Sequence, residues 1–321
     1  MSYIFSDCSS LEEIQFYKIK THQVIDMSYM FYGCSALKEL NLYNFNTHNV
    51  INMAYIFDHC SSLIKLDLSN FNTSNVKDMK YMFNGCLSLS ELNLSNFNTE
   101  NTRDMVYMFY GCISLKKLNL SSFCTNNVSD MSYIFSECSA LKELNIQNFN
   151  VTNTEIMSHM FSQCSSLEEL NLNNFNTNKV YNMSFMFDNC ISLKRLNLSS
   201  FNTEQVKYFR GMFKFCSSLE ELDLSNFNTN NSKDMEMMFE GCKSLNKLNF
   251  SKFKNNKDTK IYHMFDGCSS LKELDISEFN TDNYDLITKI FKDCKSLTKL
   301  ICSNEYIKNT LGLKTSEELK Y

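Results

Sequence analysis

The sequence contains no proline, no tryptophan and only 7 glycines in 321 residues. Domains joined in series usually place proline in their linkers and turns, so its absence argues for one uninterrupted architecture. No stretch approaches the roughly 18 apolar residues of a membrane-spanning helix. The opening MSYIFSDCSSLEE lacks the basic start and apolar core of a signal peptide, and the closing KTSEELKY carries no anchor or lipidation motif. Neither sign of charge dominates. With 31 basic and 36 acidic residues interspersed and a net charge of −5, the chain offers no basic face for nucleic acid. There is no CxxC pair and there are only 5 histidines, which argues against zinc. Paired catalytic carboxylates, a nucleophile–base pair and a phosphate loop are also missing. The chain therefore reads as non-enzymatic, with no catalytic residues, no metal and no cofactor.

What is present is periodic. Apolar residues make up 43% of the chain, enough for a core and too many for disorder. Twelve of the 14 cysteines, from Cys8 to Cys294, follow one another at steps of 26 residues without an insertion or deletion. A fixed period in this range marks a solenoid, and 26 lies within the leucine-rich-repeat window. The repeat from Cys60 reads CSSLIKLDLSNFNTSNVKDMKYMFNG. Leu66 and Leu68 alternate with Lys65 and Asp67, the pattern of a short strand with one face inward. NTSN is a turn, with Asn75 placed like an N-cap and Asp78 three residues later. Val76, Met79, Met82, Phe83 and Cys86 recur at steps of three or four, which predicts a short helical or 3₁₀ segment. Gly85 suits a left-handed turn at its end. The fold expectation is thus an α/β leucine-rich-repeat solenoid of about 12 coils, with parallel strands on one face and helical segments on the other. It forms a single domain over 1–321. Residues 1–7 are a partial repeat, 8–293 are regular, and 294–321 are a degenerate last repeat. Ser316, Glu317, Glu318 and Lys320 give that last repeat the polarity of a cap.

Reading down the columns assigns roles. Phenylalanine fills two columns, at the strand end from Phe45 to Phe279 and in the helical segment from Phe5 to Phe291, which together hold 22 of 27 phenylalanines. These are core ladders. The cysteine column behaves as small buried hydrophobes, read as free thiols because like-oriented neighbours cannot all pair with good geometry. The threonine column (Thr21, Thr47, Thr73 and onward) precedes a turn and is read as turn chemistry. The strand's outward column mixes Glu39, Lys65 and Glu91 so that opposite charges often neighbour one another. Beside it runs a polar ladder that includes Asn41, Asp67 and Asn93. That face is either a binding surface or a solvated face that keeps the sheet soluble. Tyr17 and Tyr43 break its monotony and are hot-spot residue types. A further column, Tyr3, Tyr29, Tyr55, Tyr81, Tyr107 and Tyr133, lies about 160° from the apolar face on a helical wheel. It reads as an outward recognition stripe or as rings packed coil on coil.

The string F-N-T-x-N-V-x-D-M-x-Y-M-F-x-G-C-S-S-L-K-x-L-x-L-S-N-F resembles the repeat of the BspA-like leucine-rich-repeat surface proteins of bacteria and some parasitic protists. The match runs from Met1 to about Ser303. The resemblance implies a binding or adhesion role toward a protein or glycan, at a cell surface or secreted. The missing signal peptide leaves a cytoplasmic interaction scaffold as the alternative. Met1 falls inside a repeat, so the first coil edge is expected to be uncapped and available for an end-to-end contact.

Overall fold

A computed structural model describes residues 1–282, 287, 289–302 and 304–312. The chain divides into two compact units, Met1–Leu167 and Glu168–Tyr321. Both are built from the same 26-residue coil. Ser316, Glu317, Glu318 and Lys320, read above as a polar cap, lie outside the described residues.

From the coil of Lys65 onward, one side is a strand of two or three residues. Lys65–Asp67 (β1) shows why it is so short: Leu66 points inward, is 1% exposed, and is flanked by two exposed charged residues. The first unit adds Glu91–Asn93 (β2), Lys117–Asn119 (β3) and Glu143–Asn145 (β4). The second unit holds Glu169–Leu170 (β5), Arg195–Leu196 (β6), Glu221–Asp223 (β7), Lys247–Asn249 (β8), Glu273–Asp275 (β9) and Lys299–Ile301 (β10). Pairing is parallel throughout, and each register step is one repeat. Lys65 faces Glu91 and Leu66 faces Leu92, and in the second unit Glu221 faces Lys247. Among the described residues ten repeats carry a strand, and Glu39 joins Lys65 by a single bridge.

In the coils from Met27 to Met264 the expected helical segment is replaced by a zigzag of tight turns. In the coil of Met79 the amides of Met82, Asn84 and Cys86 each bond back three residues, to Met79, Tyr81 and Phe83. The alternate amides, of Met79, Tyr81, Phe83 and Gly85, donate forward to the next coil at Asp104, Val106, Met108 and Tyr110. Two residues make this path possible. Tyr81 sits at φ 56° and Gly85 at φ 66°, both left-handed, and a left-handed residue cannot sit inside a right-handed helix. The Gly85 conformation agrees with expectation, although no helix precedes it. A helix of five or six residues is marginal alone, and here the neighbouring coil supplies the bonds instead. Glu305–Thr310 (α1) is a helix, capped by the Asn304 side chain.

The turn ahead of this segment also differs from the capping expectation. The Asn75 side chain reaches back and donates to the His48 carbonyl of the preceding coil at 2.8 Å. Asp78 accepts from the amide of Lys80, two residues on. Both make local or coil-to-coil bonds of the Asx type rather than helix caps.

The core is columnar. Phe31, Phe57, Phe83, Phe109 and Phe135 stack at 5.5–5.8 Å with near-parallel rings. Phe187, Phe213, Phe239, Phe265 and Phe291 repeat the arrangement in the second unit. Thiols along the column donate to a phenylalanine carbonyl of the preceding coil, as Cys86 does to Phe57 at 3.1 Å and Cys242 to Phe213 at 3.0 Å. No disulfide joins the fourteen cysteines, and most are buried. Threonines bridge coils in both directions: the Thr73 hydroxyl donates to the Asn98 carbonyl and accepts from the Asn98 amide.

Candidate binding surface

The exposed strand face of the first unit is made by the alternation described above. Its outward charges pair across strands, Lys65 with Glu91 at 2.5 Å and Lys117 with Glu143 at 2.7 Å. These pairs are exposed and contribute little to stability. The polar ladder beside them has a backbone role. Asn41, Asp67 and Asn93 each accept, through one side-chain oxygen, the amide two residues on, at Tyr43, Ser69 and Ser95. The Ser69 amide and hydroxyl hold the Asp67 carboxyl below the usual carboxylate range. All three residues are exposed.

Tyr17 and Tyr43 stand out from this face, 82% and 80% exposed. The Tyr17 hydroxyl donates to the Gln15 side chain. Tyr43 forms one wall of a shallow groove lined by Glu39, Asn41, Lys65, Asp67 and Ser69. The structure therefore brings Asn41, Tyr43 and Asp67 together. Asn93 lies one register step further along, opposite Asp67, and Tyr17 one repeat earlier than Tyr43.

The second candidate set occupies a different segment of the coil. Tyr3, Tyr29, Tyr55, Tyr81, Tyr107 and Tyr133 form one face-to-face stack, with centroids 4.3–4.6 Å apart and planes within 8°. His159 extends it at 4.3 Å. The helical wheel put this column opposite the apolar face. Instead the left-handed backbone, φ 56–59°, turns each ring onto its neighbour. Tyr3 is the most open of the tyrosines and the others are half-buried. Burial and the neighbouring phenols raise the pKa of Tyr55 and Tyr107 well above the ordinary tyrosine range. Burial lowers that of His159 to about 4. In the second unit the same column holds Phe185 and Gly211. The Phe185 ring lies 2.4 Å from where a Gly211 Cβ would sit, so that coil tolerates no side chain there.

Two features escaped the sequence reading. Asp58 is 3% exposed and accepts from Asn84 at 2.7 Å and pairs with His59 at 2.5 Å. Its burial raises its pKa. The only trace in sequence is an Asp-His pair followed one repeat later by asparagine, and neither position is periodic. A second groove is lined by Gln23, Ile25, Asn49, Ile51, Asn75 and Lys77. Its signal was two isoleucines at one exposed position of adjacent repeats. Among the described residues no cluster of three or more His, Cys, Asp or Glu is placed to hold a metal ion, and no helix is long and apolar enough to cross a membrane.

Comparison with known proteins bears on these features. Solved structures resembling the chain include a leucine-rich cell surface protein of Faecalibacterium prausnitzii, at 16% identity over 98% of this chain and 79% of that one, with a TM-score of 0.45. A leucine-rich-repeat protein of Bacteroides ovatus gives 18% identity, 94% and 86% coverage and a TM-score of 0.36. An internalin of Listeria monocytogenes gives 12% identity, 91% and 84% coverage and a TM-score of 0.28. No curated protein matches the chain. The assignment rests on the sequence model of one family, described as "Mycoplasma protein of unknown function, DUF285", which matches residues 1–117, 89–195, 157–273 and 221–310. Those overlapping matches run through the same repeats that carry the BspA-like motif, and the chain belongs to the DUF285 family of leucine-rich-repeat proteins.

Proposed function

We propose that the chain is a non-enzymatic adhesion module presented at a cell surface, and that the strand face around Tyr17 and Tyr43 recognises a protein partner. The observation that carries this reading is the pair of tyrosines. Two large side chains at one position of adjacent repeats are each about four-fifths exposed, so neither takes part in the core. Exposed tyrosine supplies apolar area and a hydroxyl at low entropic cost, the usual makeup of a hot spot. The groove beside Tyr43 adds Lys65, Glu39 and Asp67, whose charges suit a polar rim. The half-buried tyrosine stack is a weaker candidate, because its ring faces are occupied by one another.

The test compares the native chain with a Tyr17→Ala, Tyr43→Ala double variant against immobilised extracellular-matrix proteins and a glycan array. We expect a matrix protein to be bound, at least tenfold loss in the variant, and an unchanged Tm. Binding to glycans alone would replace the protein partner. Equal binding by the variant would remove the surface from consideration.

A second reading, an intracellular scaffold, is favoured by one observation: the buried cysteine column carries no disulfide, a state that reducing compartments maintain. Digestion of the native protein by protease added to intact cells supports the surface location, and protection until lysis supports the scaffold.

A further inference from the structure

We propose that the tyrosine stack of the first unit is an oxidative cross-linking site, at which one-electron oxidation joins adjacent coils through carbon–carbon dityrosine bonds. Each of Tyr29, Tyr55, Tyr81 and Tyr107 has a tyrosine ring on both faces, at 4.3–4.6 Å and within 8° of parallel. The reacting carbons of neighbouring phenols are therefore held one stacking distance apart before any chemistry occurs. Such positioning replaces a bimolecular encounter with an intramolecular one, worth several orders of magnitude in effective concentration. Among the described residues no other tyrosines stack in this way. Tyr110 meets Tyr107 and Tyr133 at steep angles, and Tyr17 and Tyr43 project into solvent. The phenylalanine column of the same coils is similarly aligned but has no hydroxyl to oxidise.

Burial of the rings favours the intramolecular product. The tyrosines from Tyr29 to Tyr133 are half-buried, so an oxidant reaches a ring edge while the ring face is closed to a second molecule. The chemistry balances with a peroxide. Each phenol loses one electron from its ring and the proton from its hydroxyl, giving two phenoxyl radicals. These form one bond between the carbons ortho to the two oxygens. The hydrogens displaced from those carbons move to the oxygens and restore both phenols. The pair has lost two hydrogens, and hydrogen peroxide takes up the two electrons and two protons to leave two waters. A cysteine staple is not open to these coils in the same way, because the column thiols are buried and engaged with backbone carbonyls.

The full chain is treated with a haem peroxidase and hydrogen peroxide at low protein concentration, and the monomer is isolated and digested with trypsin. Tyr55, Tyr81 and Tyr107 fall on three different tryptic peptides. We expect blue dityrosine fluorescence, and joined peptides two hydrogens lighter than their sum that link Tyr55 to Tyr81 and Tyr81 to Tyr107. Tyr81→Phe keeps a ring in the stack, so it should fold, remove both of those joins and leave Tyr107 joined to Tyr133. The same oxidation in urea should lose the neighbour specificity. Joins found only between molecules or only through Tyr17 and Tyr43, an unchanged pattern in Tyr81→Phe or in urea, or tyrosines left unmodified would each overturn the proposal.

Discussion

Thr73 shows what a single side chain does in a coil that cannot stand alone. It is fully buried, its hydroxyl donates to the Asn98 carbonyl at 2.9 Å, and it accepts the Asn98 amide at 2.8 Å. Thr73→Val keeps the shape and removes both bonds, leaving the part-buried Asn98 amide and carbonyl without the threonine partner. We expect a loss of about 1–3 kcal/mol in denaturant unfolding, most of it recovered by Thr73→Ser. One coil keeps both bonds through a different side chain. Asn255 stands at the threonine position, and its side chain still donates to the Asn280 carbonyl and accepts the Asn280 amide. The threonine column was legible as turn chemistry. Its partner was not, because the partner lies 25 residues away and becomes a neighbour only once coils stack. Asn75 differs from its sequence pattern for the same reason: it looks like a local cap and is a clamp on the His48 carbonyl.

At the scale of the element, strands and turns differ in how far sequence betrays them. A strand is written in its alternation, and Lys65-Leu66-Asp67 sufficed to place β1. The turn segment shows apolar steps of three and four that are indistinguishable from a short helix. What separates them is backbone handedness at Tyr81, and no hydrophobic pattern records φ. The tyrosine stack follows from that handedness, and His159, stacked on Tyr133, gives it an acid sensitivity. Burial holds the His159 imidazole at a pKa of about 4, below its ordinary 6.5. The unfolded chain therefore binds the proton more readily, so the stability this residue contributes is present above pH 6.5 and lost as pH falls toward 4. His159→Tyr continues the stack without a titrating group. Thermal melts between those pH values should show a smaller fall in Tm for the variant than for the native chain.

Across the whole molecule the thiols set an alkaline limit. Burial pushes Cys138 in the first unit and Cys242 in the second up to about 12, from an ordinary 9.0. Their stabilising contribution is full below pH 9 and is lost as pH rises toward 12, because only the unfolded chain ionises in that window. Each such thiol steepens the fall by about 1.4 kcal/mol per pH unit. Denaturant midpoints measured through this range should drop in the native chain, and less steeply in Cys138→Val. The period of 26 made the repeat architecture legible at this scale, since an unbroken spacing leaves few other readings. The division into two units was not legible, because the spacing runs through residue 167 unchanged. The forward bonds of the turn segment, from Met79, Tyr81, Phe83 and Gly85 to the next coil, carry a mechanical consequence. A tensile load on the chain would unzip these bonds coil by coil. Each detached coil would release about 90 Å of slack, so a unit under tension yields in discrete steps and caps the force passed along the chain.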